Sequence, residues 1–265
     1  MEARPQRPVP PAFELVAPAQ WRSVDLVSDL HLCDALPKTF AAFTHYLNST
    51  TADAVLILGD LFEVWVGDDM ADQGFERDCV AMLARAAQKR SLGFMVGNRD
   101  FLAGPALLEH AGFLHLPDPT LFTAWGQRLL LSHGDALCLS DEPYQAFRTE
   151  VRSAAWQTAF LSRPLAERLR IAADIRHASK TRRQFDGAMD ADLDTPETLR
   201  WLEAAASNVL LHGHTHRPAR HDLPGGAQRH VLSDWDLDHA ARADVLRISA
   251  AGITRLTPQQ ACTKP

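Results

Sequence analysis

The sequence predicts a layered α/β fold carrying one helical insertion, and three observations predict it. Five short apolar runs each end in polar residues able to bind a metal, plausible helices separate the early runs, and one long stretch is helical in period with no strand signal. Runs this short and this uniformly apolar suit strands buried on both faces rather than half-exposed ones. Strands alternating with helices imply sheets covered by helical layers. The composition allows such a core: 46% of the 265 residues are apolar and 23% charged, close to the globular average, in one large domain.

In chain order, the first 18 residues hold five prolines and little periodicity. Residues 1–20 are therefore expected to form a disordered extension ahead of a domain spanning 21–260. Residues 24–27 run into Ser28, Asp29, Leu30 and His31, and residues 54–58 into Gly59 and Asp60. Residues 94–96 run into Gly97, Asn98, Arg99 and Asp100, and residues 129–131 into Ser132, His133, Gly134 and Asp135. Residues 209–211 run into His212, Gly213, His214, Thr215 and His216. Helices are expected over 39–47, after Pro37, and over 75–89, where Cys79, Met82, Leu83 and Ala86 share one side. From 141 to about 202 the strand rhythm stops. Tyr144, Phe147, Val151, Ala154 and Leu161 fall at helical spacing, Leu165, Leu169, Ala172 and Ala173 continue it, and arginines gather around Arg176 and Arg183. This segment reads as a helical lid. Residues 230–232 and 245–248 are expected as closing strands, with a turn at Gly252.

In open α/β sheets, binding groups collect beyond the carboxyl ends of the strands. All five polar segments sit there, so one rim is expected to carry Asp29, His31, Asp60, Asn98, His133, His214 and His216. Oxygen and imidazole donors without thiolate suit manganese, iron or zinc. Seven donors exceed one tetrahedral site and suffice for two ions sharing a carboxylate, an arrangement that activates water against phosphorus. A lone Asp-x-His or Gly-Asp is common in turns; five such blocks in one position are not.

Other classes fall away. A formal charge of −6 disfavours a general nucleic-acid binder. No apolar run approaches the ~20 residues of a spanning helix. The four cysteines form no CxxC pair and the N-terminus shows no basic-then-apolar signal, so a reducing, cytoplasmic compartment is expected.

The blocks Asp29-x-His31, Gly59-Asp60, Gly97-Asn98-Arg99-Asp100, His133-Gly134-Asp135 and Gly213-His214-x-His216 resemble those of the calcineurin-like metallophosphoesterases. The resemblance implies a layered β-sandwich flanked by helices. It also implies one metal on Asp29, His31, Asp60 and His216, and a second on Asp60, Asn98, His133 and His214. Where most of that superfamily has Asn-His, this chain has Asn98-Arg99. An arginine cannot donate its proton at neutral pH but can neutralise developing phosphoryl charge. That suits a substrate whose leaving group is already a phosphate.

The wider wording, residues 28–32, 59–69, 97–101 and 212–218 with residues 144–148 and 233–235, resembles the UDP-2,3-diacylglucosamine pyrophosphatases of lipid A biosynthesis over about residues 22–250. This likeness implies hydrolysis to UMP and 2,3-diacylglucosamine 1-phosphate with two manganese ions, at the cytoplasmic face of the inner membrane, with no obligate protein partner. Asp60, Arg99 and His214 become the expected catalytic residues. Expected substrate contacts are Asn98, Arg99, Asp141, Tyr144, Arg176, Ser179, Arg183 and His214, while Asp186 reverses the charge of a family lysine. Trp65 fits either stacking near the sugar or core packing.

Overall fold

The computed structural model describes residues 8–185 and 191–263, the side chains of residues 179–185 excepted. In chain order the strands are β1 (Phe13–Val16), β2 (Ser23–Val27), β3 (Ala54–Leu58), β4 (Ser91–Met95), β5 (Phe113–His115), β6 (Thr120–Ala124), β7 (Gln127–Ser132), β8 (Val209–His212), β9 (Ala219–Asp222), β10 (Gln228–Val231), β11 (Val245–Ser249) and β12 (Gly252–Leu256). The helices are α1 (Pro37–Ser49), α2 (Gly74–Ala87), α3 (Pro105–Ala111), α4 (Glu142–Val151), α5 (Ala154–Leu161), α6 (Leu165–Phe185), α7 (Thr195–Ala204) and α8 (Pro258–Ala261).

The strands make two six-stranded sheets, ordered β12-β11-β2-β3-β4-β5 and β1-β6-β7-β8-β10-β9. Neighbours from β2 to β5 are parallel, and so are β7, β8 and β10. Side chains alternate across each strand. Val24, Leu26, Ala54, Leu56 and Leu58 join Phe122, Leu129, Leu131 and Leu211 of the other sheet in one buried cluster. Val27, Val55 and Ile57 point the other way, into Phe43, Cys79, Leu83 and Leu107 of α1, α2 and α3. On the far side, Leu130 and Leu210 pack on Trp201 and Leu202 of α7. Both faces of each sheet are covered, which is why the strand runs are apolar throughout. Each such aliphatic side chain contributes about 1.5–3 kcal/mol by burial. The expected helix-flanked β-sandwich is the observed fold.

Two local differences from the sequence reading have physical causes. Residues 13–16 are not disordered. They pair in parallel with β6, Phe13 opposite Thr120 and Val16 opposite Thr123, and Leu15 packs on the core between the sheets. Within 141–202 the helical stretch is broken into separate helices; Ser153, for one, accepts the Trp156 N–H and starts α5 afresh after α4. Leu161 and Leu169, which share the helical spacing of the apolar lid residues, are 42% and 38% exposed. Among the described residues no helix is long and apolar enough to cross a membrane.

Candidate metal centre

The loops after β2, β3 and β4 leave one sheet, and those after β7 and β8 leave the other, toward a common cup. Turning chemistry into that cup distorts the backbone. Asp29, His31, Asp60, His214 and His216 all adopt φ between 49° and 65°, a region costly for residues with a Cβ. Close approach does the rest: a Cβ at Gly97 would collide with the Asp60 carboxylate, and one at Gly213 with Ser28 and Asp29.

All seven candidate ligands meet there. His31, Asp29 and His216 form one group, with the Asp29 Oδ1 3.2 Å from His216 Nε2 and the Nε2 atoms of His31 and His216 3.4 Å apart. Asn98 Oδ1 lies 3.0 Å from His133 Nε2 and 2.8 Å from His214 Nδ1 in a second group. The Asp60 carboxylate stands between the two. Its Oδ2 is 4.0 Å from His31 Nε2 and its Oδ1 3.7 Å from His133 Nε2. The outer ring nitrogens face acceptors: His133 Nδ1 donates to the Leu58 carbonyl at 2.9 Å, and His31 Nδ1 lies 3.0 Å from the Glu63 carboxylate. Neither partner can donate, so Nδ1 keeps its proton on both rings and Nε2 is the nitrogen that each presents to the cup.

The charges fit cations. Asp29 and Asp60 are 0% and 2% exposed. Among the described residues no lysine or arginine side chain pairs with either, so only imidazoles compensate two buried acids. Burial alone would lower the His133 imidazole, but Asp60, Asp29 and Asp135 outweigh it and push it up to about 9. His214 goes down to about 3, first through burial and then through His133, and stays neutral. Burial would raise the Asp29 carboxyl, yet the His216 bond and the charges of His133 and His31 carry it well below the carboxylate range. A negatively biased cup lined by oxygen and imidazole donors suits borderline divalent ions.

The calcineurin-like phosphoesterase family profile matches residues 23–218. A UDP-2,3-diacylglucosamine hydrolase of Aromatoleum aromaticum is 44% identical over 233 residues, covering 85% of this chain and 93% of that protein. One of Ralstonia nicotianae is 42% identical over 245 residues, covering 87% and 91%. The chain belongs to the UDP-2,3-diacylglucosamine hydrolase family of calcineurin-like phosphoesterases. It is therefore a metal-dependent hydrolase by descent as well as by donor set.

From the cup of this phosphoesterase opens a cavity of about 1040 Å³. Its wall combines Arg99 and Arg176 with Phe101, Phe147, Trp156 and Phe160. Asp141 lines it too and caps α4, accepting the Tyr144 N–H at 3.1 Å. The Tyr144 ring stacks 6.0 Å from His214, but its hydroxyl is donated to Asp135 at 2.6 Å. Trp65 packs in the core against Phe62, and it also borders the cavity. Ser179, Arg183 and Asp186 lie outside the described residues as far as their side chains go.

Two carboxylates beside the cup were given no role by the sequence reading. Asp135, fully buried, also accepts from Arg148 Nε at 2.7 Å and faces Arg152, so it fastens α4 beside the cup. Burial would raise its carboxyl, but Arg152 and Arg148 hold it well below the usual range. Glu63 pairs with His31, with Arg176 at 2.9 Å and with Arg99 at 3.8 Å. Burial would raise it as well, yet the His31 bond and the Arg99 charge bring it to about 2. The extended Gly59–Asp69 wording contained Glu63, but only the fold reveals its partners.

Proposed function

We propose that this hydrolase cleaves the pyrophosphate of UDP-2,3-diacylglucosamine with two manganese ions, releasing UMP and 2,3-diacylglucosamine 1-phosphate in lipid A biosynthesis. Asp29, His31, Asp60 and His216 would hold one ion and Asp60, Asn98, His133 and His214 the other. Bound there, the ions supply Lewis acidity to the phosphoryl group and to the attacking water. The observation that carries the reading is the Asp60 carboxylate, whose two oxygens face two separate donor groups.

The chain's own residues account for the rest. A water oxygen bonds to the α-phosphorus while the bond from that phosphorus to the bridging oxygen breaks. The electron pair leaves on the sugar phosphate, and the proton passes to solvent. A phosphate leaves without protonation, so Arg99 in place of a histidine costs nothing, and its guanidinium offsets the charge that develops. Its position is held from both sides, because the Arg99 N–H donates to Asp60 Oδ1 at 2.8 Å and its carbonyl accepts from Trp65. Arg176, Asp141 and Tyr144, with Ser179 and Arg183 further along α6, would receive the head group. The aromatic wall would take the acyl chains.

We read the chain from β1 to α8 as one catalytic domain with 141–202 as its lid, and the cytoplasmic inner-membrane face as its place of work. Exposed Leu161 and Leu169 beside Arg163 and Arg170 offer an apolar, basic patch for peripheral attachment. The test is a comparison of substrates. Purified protein with manganese is expected to release UMP from UDP-2,3-diacylglucosamine at least about a hundredfold faster, by kcat/KM, than it cleaves bis(p-nitrophenyl) phosphate. Equal turnover of both, or none of the nucleotide lipid, contradicts the proposal.

A further inference from the structure

We propose that Glu63 is a positioning residue that serves the metal cup and the substrate cavity with one carboxylate, a reading that rests on the function proposed above. Its Oε2 lies 3.0 Å from His31 Nδ1 as an ion-pair contact, and its Oε1 takes Arg176 at 2.9 Å and faces Arg99 at 3.8 Å. The backbone fixes this pose, since the Glu63 N–H donates to the Leu32 carbonyl next to His31. The two arginines come from different places, one from the loop after β4 and one from α6. Arg99 also keeps a buried Nε with no partner, so its hydrogen-bonding capacity is not spent.

The two oxygens do different work. The first fixes the ring of His31 and makes its Nε2 a better donor, as carboxylates behind metal-bound histidines do. The second parks two guanidiniums in the absence of substrate. A phosphate entering the cavity must take Arg99 and Arg176 from Glu63 and sit near a like charge while doing so. Glu63 thus raises the affinity for cations and lowers the affinity for the phosphate. Phosphate release after turnover is eased by the same competition.

Two variants separate these roles. Glu63→Gln keeps an acceptor for His31 but loses the charge; Glu63→Ala loses both. With metal-stripped protein and glucosamine 1-phosphate as probe, Glu63→Gln is expected to bind about fivefold more tightly than wild type by calorimetry. That gain is expected to vanish in the Glu63→Gln, Arg176→Met double variant. For Glu63→Ala the Kd for Mn²⁺ is expected to rise about ten- to hundredfold, and for Glu63→Gln by less. No gain for glucosamine 1-phosphate in Glu63→Gln, or an unchanged Mn²⁺ affinity in Glu63→Ala, overturns the proposal. Thermal melting guards against misfolding, and Glu63 is partly exposed, which favours intact folding. Both readouts are independent of turnover. Failure to hydrolyse UDP-2,3-diacylglucosamine would sink the proposed function and leave these binding measurements to judge Glu63.

Discussion

In the proposed reaction Asp60 is the side chain that joins the two donor groups. Its carboxylate is 2% exposed, reaches toward histidines from both groups, and also takes the Arg99 N–H that sets the third loop. Replacing it by alanine removes a buried negative charge that, among the described residues, only imidazoles compensate, so the fold is expected to survive. Turnover should fall by more than about a thousandfold, roughly 4 kcal/mol of barrier. Residual activity within about tenfold of wild type would contradict the bridging role, and circular dichroism checks the fold. The ligands themselves were legible in sequence because each follows an apolar run. What was not legible is how they are oriented. Leu58, Glu63 and Asn98 hold the histidine rings by contacts across distant sequence, and nothing in the local pattern of Glu63 or Asp135 tells their partners.

Elements show the same division. The continuous runs of β2, β3, β4, β7 and β8 announced themselves, and so did α1 and α2 through their one-sided periodicity. Short edge strands such as β1 and β5 did not, because a strand with one free edge has exposed members like Phe13 and Leu114 that break the pattern. The lid was recognised as helical, but which faces turn inward depended on caps and on one buried cation. Arg168 of α6 is 4% exposed, donates to the Val66 and Arg163 carbonyls, and pairs with Asp69 in the loop that carries Trp65. Arg168→Met is expected to lower stability by about 1–3 kcal/mol, chiefly by stranding the Val66 carbonyl. It should also raise KM about fivefold or more while kcat changes less, since α6 contributes cavity wall and no metal ligand. Steady-state kinetics with UDP-2,3-diacylglucosamine would reveal the split, and a kcat loss at constant KM would contradict it.

For the whole molecule, the decisive feature is that two parallel strand sets, one in each sheet, end at the same rim. No apolar run in sequence says that the sheets stack, and stacking is what brings His133 and His214 to Asp29 and Asp60. Stability at acid pH depends on pairs outside that rim. Arg229, almost fully buried on β10, holds Asp192 through both oxygens and lowers its carboxyl from 3.8 to about 2. Since the folded chain binds this proton less readily than the unfolded one, the pair stabilises fully above 3.8 and loses its effect as pH falls toward 2. Asp192 is 45% exposed, so solvent screens much of the effect. Urea midpoints should therefore fall more steeply between pH 4 and pH 2 in wild type than in Arg229→Met, and parallel curves would contradict the assignment. The central claim is that two cations, shared through Asp60, perform the hydrolysis. Manganese titration of chelator-stripped protein, with UMP release followed at each addition, addresses it most directly: activity should be absent at the start and saturate at two ions per chain, whereas full turnover without metal, or saturation at one ion, would contradict it.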